Sequence, residues 1–179
     1  MALIRKSAPP SEGSARGGYS LAERDPWLAA GAGPVAAGTD VIVTLARLEA
    51  EPAVLDRAGR TGVRLPSDRG LDPIVPLLPR LALVAIEFPK HTDGRGYSLA
   101  RLLRERHGFA GEVRAVGNVL RDNLLFMHRC GFDAFELDPK YGPGGRDPAA
   151  TLSAFAELDV YYQAASDVRL PLWKRVSRA

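Results

Sequence analysis

The sequence predicts an α/β domain, with a mostly parallel sheet of about five or six strands and helices packed on it. Three observations predict it. Short, β-branched apolar runs alternate with helix-periodic segments from residue 41 to residue 163. The run Ala82–Phe88 is apolar on both faces apart from Glu87, as in the middle of a parallel sheet. Tyr97–His107 sets Leu99, Leu102 and Leu103 on one stripe and Arg101, Arg104, Glu105 and Arg106 on the other. An open sheet and part of a barrel-like array both fit, because so few βα units cannot close an eightfold barrel.

Each element follows from local signals. Residues 1–24 are rich in Gly, Ser, Pro and Ala and predict a disordered tail. Asp25-Pro26-Trp27-Leu28 opens the ordered domain, which is expected to run over 25–165, with Trp27 anchored on it. Val41–Leu45 is a β-branched strand, Glu51–Ala58 a short helix with Pro52 in its first turn, and Thr61–Leu65 a second strand closed by Pro66. Leu71–Leu81 predicts a short helix, and Ala82–Phe88 the third strand. Gly108 ends the helix over 97–107. Glu112–Val116 predicts a fourth strand, Asn118–Arg129 a helix, and Ala134–Leu137 a fifth strand. A Gly/Pro loop over 142–147, a helix over 148–158 and a last strand over 160–163 follow, then a basic tail over 166–179.

The chain has 179 residues, long enough for one domain with a real core. Its net charge of +3 is small and, without a clustered basic face, argues against nucleic-acid binding. The N-terminus lacks the apolar segment of a secretory signal, and no run approaches the length of a membrane span. A soluble, cytoplasmic protein with no membrane partner is the expectation. The single cysteine, Cys130, excludes an internal disulfide framework and a cysteine-only metal or iron–sulfur site. At the end of an apolar helix, beside Gly131 and Phe132, it reads as a buried small hydrophobe. His91, His107 and His128 follow no ligand spacing, so no metal is expected; only His91 falls inside the candidate loop. No Walker loop, dinucleotide fingerprint or nucleophile elbow is present, so no cofactor is expected.

The informative stretch is Ala82–Ser98, where a buried strand ends in a polar, glycine-containing loop and a helix follows at once. Loops after parallel strands share one edge of the sheet, where α/β proteins place ligands. That edge should collect Lys90, Asp93, Gly94, Arg95, Gly96 and Tyr97 after the third strand. Asn118, Arg121 and Asp122 should join them after the fourth, and Asp138, Lys140 and Tyr141 after the fifth. The glycines would let the backbone turn tightly, and the cations would suit a small oxyanion such as sulfite, sulfate or phosphate, or a carboxylate. The competing reading makes Asp93–Arg95 and Arg121–Asp122 ion pairs that fix the loops.

Four blocks in order carry a resemblance. They are Phe-Pro-Lys-His-Thr-Asp-Gly-Arg-Gly-Tyr-Ser from Phe88, Ala-Arg-Leu-Leu-Arg from Ala100, Arg-Ala-Val-Gly-Asn-Val-Leu-Arg-Asp-Asn from Arg114, and Arg-Cys-Gly-Phe-Asp-Ala-Phe-Glu-Leu from Arg129. Together they resemble an uncharacterised bacterial family, a domain of unknown function encoded beside assimilatory sulfite reductase and labelled a probable oxidoreductase of sulfite reduction. The resemblance covers about residues 25–165; the family pattern often has Phe where this chain has His91. It implies a link to sulfate assimilation and cysteine biosynthesis, with sulfite reductase as a partner. Two roles follow: an accessory protein that binds an oxyanion or docks on the reductase, or a small oxidoreductase or other enzyme acting on a sulfur oxyanion or other anionic substrate, with Lys90, Asp93, Arg95 and Asp122 as site residues. The residues offer no redox centre of their own, so electron transfer would need a borrowed cofactor or a partner.

Overall fold

A computed structural model describes residues 2–6, 18–31, 33–137, 151–156 and 165–166. Its strands are β1 (Ala2–Lys6), β2 (Tyr19–Leu21), β3 (Leu28–Ala29), β4 (Val41–Thr44), β5 (Thr61–Pro66), β6 (Leu83–Phe88), β7 (Glu112–Gly117) and β8 (Ala134–Leu137). The helices are α1 (Leu45–Ala50), α2 (Arg95–Glu105) and α3 (Leu124–Arg129). Short 3-10 segments cover Pro52–Asp56, Val75–Arg80, Arg121–Asn123 and Leu152–Ala156.

The eight strands of the described residues form one sheet in the order β2-β1-β8-β7-β6-β5-β4-β3. From β3 to β8 every neighbour is the next strand in the chain, and every pair is parallel. That winding belongs to barrels rather than to doubly wound sheets, whose strand order reverses at a switch point. Among the described residues the sheet nevertheless stays open, curled, with β2 and β3 as its edges.

The winding sends the helices to one face. Leu45, Leu48, Leu99, Leu103, Leu124 and Met127 share a core with Val43, Val63, Leu65, Val84, Ile86 and Ala115 from the strands. The 3-10 segments join the same core through Val54, Leu78, Ala154 and Phe155. The opposite face, free of helices among the described residues, holds a smaller cluster, Trp27, Leu83, Ala85 and Val116. Among the described residues no helix is long and apolar enough to cross a membrane.

Several expectations need correction. The tail predicted over residues 1–24 contains two strands: β1 pairs antiparallel with β8 along Ala2–Arg5, and β2 pairs antiparallel with β1. Leu3 and Ile4 are buried, so this short apolar stretch gains from a sheet that its polar sequence neighbours concealed. The sheet therefore exceeds the five or six strands expected, and it is antiparallel at the β1 end. The short strand β3 is a further addition to the expected set.

Helix boundaries differ too. Thr44 caps α1, its Oγ1 accepting the Arg47 N–H at 3.2 Å, so the chain turns helical at Leu45 rather than at Glu51. Prolines at 73, 76 and 79 reduce the expected helix over 71–81 to 3-10 turns. Gly117 has φ +93°, which breaks the chain before Asn118, so that helix begins only at Leu124 after a 3-10 turn. Of the expected helix over 148–158 the described residues show an α-helical Thr151 and the 3-10 segment Leu152–Ala156, and residues 148–150 and 157–158 and the strand expected over 160–163 lie outside the described residues.

Candidate functional site

Strands β5, β6 and β7 are parallel neighbours, so their following loops leave from one edge. Ser67 follows β5, Lys90–Arg95 follows β6, and Asn118–Asp122 follows β7. The β6 and β7 loops are joined where the Asn118 N–H donates to the Phe88 carbonyl at 2.8 Å. This close approach requires Gly117: a Cβ there would lie 2.7 Å from the Phe88 carbonyl oxygen.

The first loop is organised around Asp93. Arg95 donates to it three times, from its backbone N–H at 3.1 Å, from Nε at 3.0 Å and from Nη2 at 2.7 Å. The Ser67 hydroxyl adds a fourth donor at 2.8 Å, tying the β5 loop to the β6 loop. The Arg95 fork, foremost, holds the Asp93 carboxyl well below the usual carboxylate range, and Asp93 in turn raises Arg95. Arg95 thus spends its bidentate face inside the chain. The looser Arg121–Asp122 contact is 3.8 Å, with Asp122 exposed.

Neither glycine beside Arg95 has a positive φ. Gly94 is the cap position of α2 with open space around it, and Arg95 is the first helical residue. Gly96 is required by packing: a Cβ there would meet the Phe88 ring at 2.5 Å. The expected role of these glycines in a tight turn is therefore replaced by one close helix–strand contact. Tyr97 is half-buried between Phe88 and Phe126, at ring distances of 5.2 Å and 5.0 Å. Burial, and secondly Cys130, raise its pKa.

Further side-chain donors of these loops are Lys90, Asn118 and Arg121. Lys90 is exposed and its side chain makes no hydrogen bond or ion pair among the described residues, while its backbone carbonyl accepts the Asp93 N–H at 3.0 Å. Asn118 buries its Oδ1 without a partner there. Arg121 donates from Nη2 to Ser153 Oγ at 3.0 Å. At the same edge an open cleft of about 320 Å³ lies between Ala30, Gly31, Thr44, Arg47 and Glu51. Its Arg47 is already engaged by the Gly31 carbonyl and by Glu51. Asp138, Lys140 and Tyr141 lie outside the described residues.

His91 is exposed in the loop, and His107 lies just past α2. His128 Nδ1 lies 2.7 Å from the Tyr19 hydroxyl, which also donates to the Phe132 carbonyl. Cys130 is buried and forms no disulfide. Among the described residues no group of three or more His, Cys, Asp and Glu side chains could hold a metal.

Sequence reasoning missed the charges on the helix-free face. Arg114, fully buried, bridges Asp25 at 2.6 Å and Glu112 at 2.8 Å. Burial works against its charge, but the two acids more than offset this and its pKa is raised. Arg5 also pairs with Glu112, and Arg64 with Glu87. The signal was available: Glu112 and Arg114 alternate with Val113 and Ala115, whereas a strand buried in apolar surroundings on both faces would carry no such charges.

Residues 62–173, more than half the chain, match a family described as "Bacterial protein of unknown function (DUF934)". The match begins in β5, later than the resemblance drawn from residue 25, and extends past residue 165. Comparison with curated proteins gives no match. With its carboxyl-edge loops inside the matched region, the chain belongs to this bacterial family of unknown function.

Proposed function

We propose that this protein is an accessory factor of assimilatory sulfite reduction that binds a small oxyanion at the carboxyl edge of its sheet. The sulfur connection rests on the resemblance carried by the four sequence blocks. The chemistry rests on one observation: Lys90, Asn118 and Arg121 follow adjacent parallel strands at a shared edge, with Lys90 unpaired among the described residues. An ammonium, a carboxamide N–H and a guanidinium suit a tetrahedral or pyramidal oxyanion. Arg95, Asp93, Gly94, Gly96 and Tyr97 then act behind the site, holding the loop rather than touching the ligand.

Calorimetric titration of the full chain with sulfite, sulfate and phosphate tests the reading. Millimolar or tighter binding is expected, weakened about tenfold by Lys90→Gln or Arg121→Gln, the scale of one lost charge-assisted contact. No binding of any of the three anions would refute it. Purification from sulfate-grown cells should bring down sulfite reductase with a colourless protein. A coloured, cofactor-bearing preparation that turns over sulfite with a reduced donor would instead favour the oxidoreductase role.

A further inference from the structure

The helix-free face of the sheet is laid out in rows. Register brings Thr44, Arg64, Ala85, Arg114, Ala134 and Arg5 level across β4, β5, β6, β7, β8 and β1. Arginines come from alternate strands, with alanines between them. The next row toward the carboxyl edge carries Glu87 on β6 and Glu136 on β8, the latter level with Leu3 on β1. The floor between them is sealed: Ala85, Arg114, Val116 and Ala134 are buried.

On this face of these strands, and on the adjoining Asp25, the charges pair off with one exception among the described residues. Arg5 takes Glu112, Arg114 takes Glu112 and Asp25, and Arg64 takes Glu87. Glu136 is half-buried and its side chain makes no hydrogen bond or ion pair there, although Arg114, Arg64, Asp25 and, least of these, the chain's amino terminus act on it through space. Burial is the largest influence on it and raises its affinity for a proton. Both nearby arginines are already committed to other acids, so their compensation of Glu136 is partial. A half-buried carboxylate in this position gains from any cation that reaches it.

We propose that Glu136 anchors a binding site on the helix-free face for a ligand presenting a guanidinium or primary ammonium group, with the carboxylate as its counter-charge. A guanidinium can meet both carboxylate oxygens at once. Arg64 and Glu87, partly exposed, form the neighbouring wall. The cation can come from a small molecule or from an arginine or lysine side chain of a partner protein. The site is independent of Lys90, Asn118 and Arg121.

Carbon-13 labelling of glutamate carboxyls, with Glu136 assigned by comparison with Glu136→Gln, reads the site directly. The probes are methylguanidinium and ethylammonium chloride, with sodium chloride at equal ionic strength as control. A saturable shift of the Glu136 carboxyl with either probe, absent with sodium, is expected. In Glu136→Gln the accompanying shifts of the Leu3 and Val116 amides should disappear, while the melting temperature stays equal to or above that of the parent. A short arginine-containing peptide identifies the source. Binding at least about tenfold tighter than methylguanidinium points to a protein side chain, and equal binding to a small molecule. No saturable shift with either probe, or amide shifts that persist in Glu136→Gln, would overturn the proposal.

Discussion

Asp93 grips Arg95, two residues further on, through both carboxylate oxygens, at 3.0 Å to Nε and 2.7 Å to Nη2. The same carboxylate accepts Ser67 from the neighbouring strand's loop. One acid therefore fixes the start of α2 and joins two loops of the candidate edge.

Its effect should depend on pH. The folded-state pKa of Asp93 lies below its unfolded value of about 4, so the stabilisation is full above that value and is lost as pH falls toward the folded pKa. Asp93→Asn should therefore lower the melting temperature by several degrees at neutral pH. The gap between variant and parent should narrow steadily below about pH 4. Thermal melts from pH 7 to pH 2 check this; a gap that stays constant would show that the charge of Asp93 contributes nothing.

Gly117 should tolerate no side chain. Its φ of +93° brings strain, and the Phe88 carbonyl oxygen, only 2.7 Å from where a Cβ would stand, adds a backbone clash. Gly117→Ala should cost about 2–4 kcal/mol, measured by urea unfolding. A loss below about 0.5 kcal/mol, the level of an ordinary surface change, would mean that the β6 and β7 ends are not held as described.

Ile4 tests the N-terminal strand. It is fully buried in the main core, on a strand between β8 and β2. Ile4→Ala should destabilise the protein by about 2–5 kcal/mol, as for other buried large-to-small changes. An unchanged denaturation midpoint would return residues 2–6 to the status of a free tail.

Arg114 is the buried cation of the helix-free face. Removing it strands Asp25 and Glu112 without their counter-charge, so Arg114→Ala should cost about 3–5 kcal/mol. Adding Asp25→Asn should recover part of that loss, because one stranded charge is then gone. A double-mutant cycle by chemical denaturation measures the coupling; strictly additive losses would contradict the bridge.

Much of the sheet was legible because its signals are local. Val41–Val43, Ala82–Phe88, Glu112–Val116 and Ala134–Leu137 announce themselves by β-branched or apolar runs, and α2 by Leu99 and Leu103, although Leu102 of the expected inner stripe is exposed. The shared edge was legible as well, since parallel neighbours must release their loops on the same side. Arg95 was harder. Its sequence neighbours allowed either an outward fork or an ion pair with Asp93; the folded turn forms the pair, and Ser67 joins it by donating to Asp93.

The sequence by itself determined that strands and helices alternate, and which loops carry charge, because periodicity and turn chemistry act over a few residues. Tertiary structure decided what no short window contains. It inserted residues 2–6 beside β8, set every described helix on one face, and paired Arg5 with Glu112 across 107 positions. It also left Glu136 on a face where its neighbours had already found partners. Burial and charge pairing depend on which distant strands become neighbours, and that is fixed only when the sheet closes its register.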